Sequence, residues 1–283
     1  MAMYIVAGKH KGRRIESPEG RNVRPTAART REAVFNILSH GRFAEKELLG
    51  SIDERTAMFV LTAGTTLTGA IEHVTPAVAT QLARYQVPIH VDAAYGGFNC
   101  GLLPNTDRDR QQLTEVLALP TVRSITIDPH KFVGPIGCSM LLTTNNTTSA
   151  EERYLPGSTR YTGTTRGALI PALTLATIEG NGLTELQRKA VANKYGARCL
   201  AHYLKQYGLE VWSVHAGLVA IKMPSFVAAQ KAHHKLEEFG LHIPAPFKIN
   251  GEYGIRILLS PEYSYDIKDQ AELALLISYL IRS

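Results

Sequence analysis

Ile89-His90-Val91-Asp92-Ala93-Ala94-Tyr95-Gly96-Gly97 and, further along, Ser124-Ile125-Thr126-Ile127-Asp128-Pro129-His130-Lys131 decide how this chain reads. Each is a short apolar run ending in a polar or Gly-rich turn, the pattern of a buried strand that runs into a loop. In an open α/β sheet, reactive groups collect in the crevice outside the carboxyl ends of the strands. The first segment would deliver a carboxylate there, Asp92, and the second an amine, Lys131. Taken alone, an Asp at a strand end is a cap or turn former, and a Lys is a solvated charge. Their occurrence together on two strand ends gives the pair chemical meaning.

Outward from these segments the chain alternates strands and helices. Strands are expected at 58–61, 89–92, 122–127 and 138–143. Helices are expected at 76–85, with Pro76 early, and at 107–117, capped by Asn105 or Thr106. Such alternation argues for an α/β class: a mostly parallel sheet flanked by helices. Residues 143–165 read as a long polar loop, and long loops are often lids. Residues 166–206 are helical with a break at Gly180-Asn181-Gly182. A strand pair (209–214 and 217–223), a helix (226–239), a strand (254–259) and a closing helix (267–281) make a smaller α+β carboxy-terminal domain. The expected divisions are a basic arm of hairpin plus helix over 1–50, a large domain over 51–175 and the small domain over 176–283.

A lysine amine is nucleophilic when unprotonated, and burial or a neighbouring cation favours that form. Such a lysine can form a Schiff base with pyridoxal 5'-phosphate (PLP), which also needs an acid for its pyridinium nitrogen and a cradle for its phosphate. Lys131 would be the amine and Asp92 the acid. Ala94 is small enough to lie under a flat ring. His130, with Asp128 or Thr126, would hold the phosphate. Arg256, in Gly254-Ile255-Arg256-Ile257, would face the cleft and bind a substrate carboxylate, or else be an ordinary exposed strand arginine. His233-His234 reads as helix surface, because adjacent helix positions diverge.

His90–Phe98 followed by Ser124–Lys131 resembles the group II PLP-dependent amino-acid decarboxylases, over about residues 51–283. Thr62-Ala63-Gly64-Thr65-Thr66 looks like the family's Gly-Thr-Thr turn, which implies that Thr66 or Thr65 approaches the cofactor. The resemblance further implies the PLP fold-type I architecture, a homodimer, and a mobile loop whose tyrosine protonates the carbanion after carbon dioxide leaves. Tyr154 and Tyr161 are the candidates for that tyrosine. The family's opening segment, with its phosphate loop and a residue stacked on the cofactor, has no match here. Neither His10 nor His40 is in a matching context, so weak or absent activity is expected.

Ten Lys and Arg against five Asp and Glu lie in residues 1–50, so this stretch carries +5 of the net +6. That asymmetry suggests an arm for an anionic partner or else a solvated terminus. Residues 3–43 resemble the amino-terminal arm of the bacterial small-subunit rRNA guanine methyltransferases, which implies RNA phosphate contacts through Arg13, Arg14, Arg24, Arg29 and Arg31. No acidic strand with a Gly-rich S-adenosylmethionine turn follows, nor an Asn/Asp-Pro-Pro-aromatic motif. The chain therefore looks chimeric, joined near residues 44–52, and a recombined chain without its own function is the third reading. Three dispersed cysteines, Cys100, Cys138 and Cys199, suggest neither a disulfide framework nor a zinc site. No apolar run approaches a membrane span, and the start lacks a secretory apolar core. A cytoplasmic protein is expected.

Overall fold

The computed structural model describes residues 3–4, 14–15, 45–135, 137–144, 169–260 and 267–282. The chain divides into two compact units, Met1–Thr56 and Ala57–Ser283. In the first, β1 (Met3–Tyr4) pairs antiparallel with β2 (Arg14–Ile15), the expected hairpin, and α1 covers Glu45–Ser51. Residues 27–39, where the helix of the arm is expected, lie outside the described residues.

The second unit holds two four-stranded sheets. In the first, β3 (Phe59–Thr62), β4 (Ile89–Asp92) and β5 (Val122–Ile127) run parallel, and β6 (Met140–Thr143) closes the edge antiparallel to β5. This is the mostly parallel sheet expected from the alternation. On β3 and β4 the buried positions alternate, with Phe59, Leu61, Ile89 and Val91 on one face, as strand geometry requires. Helix α2 (Pro76–Arg84) starts at Thr75, whose hydroxyl accepts from Val78 N, and it buries Val78 and Leu82. A short helix α3 (Gly96–Asn99), not expected from sequence, follows β4. Helix α4 (Arg108–Leu117) is capped by Asp107, which accepts from Asp109 N. The expected caps, Asn105 and Thr106, lose to the carboxylate one step nearer the helix.

Helix α5 (Leu169–Gln206) bends at Gly182, whose φ of 71° and ψ of 163° break the helical path; the break was expected there. The second sheet is antiparallel throughout, in the order β7 (Val211–His215), β8 (Leu218–Met223), β10 (Glu252–Leu258), β9 (Phe247–Ile249). Strand β9 was not foreseen, although Asn250-Gly251 signals it. Both residues have positive φ (51° and 86°), the two-residue hairpin geometry that Asn-Gly favours. Helix α6 (Phe226–Glu238) and α7 (Ile267–Arg282) join α5 over this sheet. Leu200, Leu204, Ile221, Leu236, Ile255 and Ile277 form the core between them.

A buried ionic cluster links the elements of the two sheets. Lys194 of α5 lies 2.5 Å from Asp107 Oδ1 and 2.7 Å from Asp109 Oδ2. Asp109 also accepts from His215 Nδ1 at 3.0 Å and from Ala216 N at 3.1 Å, in the β7–β8 turn. Lys194 and Asp109 are 4% and 3% exposed, so water cannot replace these partners. Burial pushes the Asp109 carboxyl up, but the hydrogen bonds from His215 and Lys194, with the lysine's charge and Ala216 N, hold it well below the usual carboxylate range.

A carboxyl depressed in the folded chain stabilises it above the unfolded value near ~3.9 and loses that contribution as pH falls below it. Asp109→Asn should cost about 3–5 kcal/mol at neutral pH, because Lys194 is left buried with less opposing charge. The gap to the wild type should shrink below about pH 4. Urea unfolding followed from pH 7 to pH 3 checks both, and equal stability at neutral pH would count against the cluster.

Candidate active site

The carboxyl ends of β3, β4 and β5 open on a cleft of about 550 Å³, closed on its other side by the second sheet. The β3 turn contributes Gly64, Thr65 and Thr66; the β4 turn, Asp92 and Ala94; the β5 turn, His130 and Lys131; the second sheet, Leu218 and Arg256. Seven of the residues singled out from sequence therefore meet in one place: Thr65, Thr66, Asp92, Ala94, His130, Lys131 and Arg256.

Strand register brings this about. Thr62 is level with Asp92, and Asp92 with Thr126, across the parallel pairs. Asp92 Oδ1 accepts from Ala94 N at 3.1 Å, which turns the chain sharply after the strand. The β3 and β4 turns then pack without side chains between them. Gly96 N donates to Ala63 O at 3.0 Å, and a Cβ on Gly64 would stand 2.7 Å from Gly96 N. Gly64 also holds a φ of 95°, which an L side chain rarely adopts. The Thr65 hydroxyl is paired with Thr68 Oγ1 at 2.9 Å, whereas Thr66 is exposed.

Lys131 ends a single 3-10 turn, Pro129–Lys131. Its amine lies 3.0 Å from Asp128 Oδ2, and its side chain is 40% exposed. Neither deep burial nor a neighbouring cation marks this lysine; a carboxylate attends it. His130 Nδ1 donates to Cys138 O at 2.6 Å, which leaves Nε2 as the ring's second polar atom. Asp128 and Thr126, expected beside a phosphate, are not among the residues lining the cleft. Burial pushes the Asp128 carboxyl up, but hydrogen bonds from Ser139 and Lys131 outweigh it and lower its pKa. The Asp128 carboxylate is thus engaged by Ser139 and Lys131. The Thr126 hydroxyl lies 3.2 Å from His90 Nε2.

His90 is a residue that sequence reasoning passed over. It shares a strand face with Asp92, two positions before it, which is the signal that could have found it. Its Nδ1 lies 2.8 Å from Ser124 Oγ. Burial lowers its pKa against the opposing charge of Asp92. A neutral imidazole, hydrogen-bonded on both sides, thus stands next to the carboxylate. Arg256, on β10 opposite Ala220, is half-buried, and burial alone lowers its pKa. His233, read as surface, is half-buried, while His234 is exposed and 3.2 Å from Glu238. Tyr154 and Tyr161 lie outside the described residues, as do Arg13, Arg24, Arg29 and Arg31, and only the backbone of Arg14 is described.

Residues 39–159 match the pyridoxal-dependent decarboxylase conserved domain, and residues 3–52 match the family described as conserved hypothetical protein 95. The chain is similar to the pyridoxal-dependent decarboxylases. A probable L-tyrosine/L-aspartate decarboxylase of Methanopyrus kandleri is 32% identical over 222 residues, 74% of this chain and 57% of that one. A probable L-aspartate decarboxylase of Halobacterium salinarum is 34% identical over 61% of this chain and 48% of that one. The fold agrees. Oryza sativa TDC, solved with PLP and tryptamine, superposes with a TM-score of 0.65 over 85% of this chain and 55% of that one, at 19% identity. Lactobacillus brevis glutamate decarboxylase gives 0.65 over 86% and 58%, at 17% identity. The second unit thus has the fold-type I architecture of the PLP decarboxylases. The chain spans about half the length of the relatives it matches. The match at residues 3–52 meets the resemblance of the arm, and the two matches overlap at 39–52, near the expected junction.

Gly96→Ala should destabilise the chain by about 1–3 kcal/mol, since its Cβ would stand on the Ala63 carbonyl oxygen with backbone on both sides. Gly180→Ala, in α5 with nothing within 4 Å of the added atom, should be stabilising by about 0.5–1 kcal/mol. Thermal unfolding of the two variants beside the wild type checks the contrast.

Proposed function

We propose that residues 57–283 bind pyridoxal 5'-phosphate and serve the decarboxylation of an amino acid. The observation that carries this reading is the meeting of Lys131 and Asp92 at neighbouring strand ends on one cleft. The residues fit the cofactor: an amine, a carboxylate on the neighbouring strand end, glycines that keep the turns thin, and a small residue, Ala94, in the same lining. When bound, the cofactor supplies an aldehyde for an amine and a ring that accepts the electron pair freed as the carboxylate departs. Lys131 is the amine that would hold it, and Asp128 Oδ2 lies 3.0 Å from that amine. Asp92 holds a proton on the ring nitrogen. His90, neutral beside it, leaves the carboxylate's charge uncancelled. His130, with Thr66, is assigned to the phosphate side.

Arg256 bears on the substrate. A cation on the departing carboxylate would stabilise the ground state and slow its loss. It suits a carboxylate that stays, the side chain of an acidic amino acid. The names of the relatives, L-aspartate and L-tyrosine/L-aspartate decarboxylases, support that choice. A tyrosine of the segment holding Tyr154 and Tyr161 remains the proposed proton donor. A homodimer and a cytoplasmic setting belong to the same reading. Among the described residues no helix is long and apolar enough to cross a membrane.

Mixing the protein with PLP, reducing with borohydride and mapping the peptides should put a phosphopyridoxyl group on Lys131, and Lys131→Ala should abolish it. Arg256→Gln should keep the label and weaken carbon dioxide release from L-aspartate by about ten-fold or more, the scale of a lost charged hydrogen bond. Label scattered over other lysines would refute the site.

A second reading is carried by the arm, whose match at residues 3–52 and charge of +5 over 1–50 favour contact with RNA. Fluorescence anisotropy with a labelled ribosomal-RNA hairpin should give binding that weakens steeply with salt, and a salt-independent signal would exclude phosphate contacts.

A further inference from the structure

The turn that carries Lys131 is held partly from within. Lys131 N donates to Asp128 O at 3.0 Å, and the amides of Phe132 and Val133 donate to Pro129 O at 3.0 and 2.8 Å. The carbonyl of Lys131 is served from outside, by Asn99 Nδ2 at 3.3 Å. The same nitrogen donates to Tyr95 O at 3.0 Å. Asn99 is the last residue of α3, on the segment that begins with Asp92, and it is 2% exposed. Its Oδ1 accepts from Asn193 Nδ2 of α5 at 3.4 Å. The two carbonyls can be met only by the NH2 end of the amide, and the contact at Oδ1 agrees with that orientation.

Beyond the strand pairing, the bond from Ala93 N to Thr126 O at 2.9 Å and the two hydrogen bonds of His90, the segments bearing Asp92 and Lys131 are linked around the lysine turn at two further points. Asp128 N donates to Ala94 O at 3.1 Å, and the rings of Phe98 and Phe132 stack at 6.0 Å and 5°. The first lies before the turn and the second after it. Of these links, that of Asn99 alone reaches Lys131 itself. A buried carboxamide has no water to fall back on, so its two N–H bonds persist as long as the turn stays where it is.

We propose that Asn99 is a positioning residue: its amide ties the segment bearing Asp92 to the turn bearing Lys131 and so sets where the lysine amine stands in the cleft. Its purpose rests on the decarboxylase reading, whereas its geometry does not. The competing account makes Asn99 a core polar group whose partner is Asn193, without bearing on the lysine. Asn193→Ala removes that partner and leaves both donors of Asn99 in place.

The test is acetic anhydride labelling of the full chain without PLP, with the rate at Lys131 read by mass spectrometry against that at Lys205, an exposed lysine of α5. In Asn99→Ala the released turn should loosen the Lys131–Asp128 pair and raise the ratio by about five-fold, the population change that one net hydrogen bond supports. Asn193→Ala should leave the ratio at the wild-type value although it too lowers the melting temperature. Should Asn99→Ala not fold, Asn99→Ser is measured in the same way, since its shorter hydroxyl cannot span both carbonyls. An unchanged ratio in the Asn99 variant, or an equal rise in Asn193→Ala, overturns the proposal. A raised ratio in a protein whose wild type takes no phosphopyridoxyl label upholds the positioning and overturns the decarboxylase reading instead.

Discussion

The parallel pairing of β4 with β5 is the constraint on which the rest depends. It sets Asp92 level with Thr126, so that the β5 turn emerges beside the β4 turn. Because side chains alternate faces, a slip of one residue would send Asp92 to the apolar side, where Val91 now sits fully buried. The apolar alternation of β3 and β4 therefore enforces the chemistry as well as the fold. Burying Ile89 and Val91 requires Asp92 to face the opposite way. The thin glycine turns act in the same direction, since Gly64 and Gly96 let two loops approach where any side chain would wedge them apart.

A cleft with walls from two sheets must also hold its width. The cluster of Asp107, Asp109, Lys194 and His215 supplies a fixed point between them. A buried ion pair is weak evidence for net stability, because desolvation offsets much of its attraction. What it provides is direction. Asp109 accepts from a helix lysine, a turn histidine and a turn amide at once, and no apolar substitute would hold three elements at one angle. The β7–β8 turn it grips passes through Gly217, whose carbonyl accepts from Leu259 N, and on to Leu218 in the wall of the cleft.

Much of this was legible in the sequence, and the remainder was not, for identifiable reasons. Strands β4 and β5 could be read to the residue because apolar runs met turn residues at both ends. The bend in α5 was announced by its glycines. The β9 hairpin was equally announced by Asn250-Gly251, but its strand is three residues long and offers little periodicity. The phosphate-side assignments of Thr126 and Asp128 rested on proximity in sequence. Each side chain turned instead to a closer partner, His90 or Lys131. Asn99, Asn193 and Lys194 were beyond reach, since their meaning lies in partners distant along the chain. No local pattern distinguishes a buried lysine on α5 from its solvated neighbours.

The electrostatics separate the two parts of the chain as clearly as the matches do. Residues 1–50 carry nearly all of the net charge, and the remainder is close to neutral. Every residue lining the cleft belongs to Ala57–Ser283, as does the core under the second sheet. Within the cleft, Lys131 is matched by Asp128, while among the described residues no carboxylate pairs with Arg256, whose pKa burial lowers. A half-buried guanidinium favours an anion that can reach it. A small dianionic substrate would gain more there than a neutral aromatic one, because only the former brings a second carboxylate to complete the pair. On the proposed reading, a preference for an acidic substrate would rest on the Arg256 guanidinium in the cleft wall.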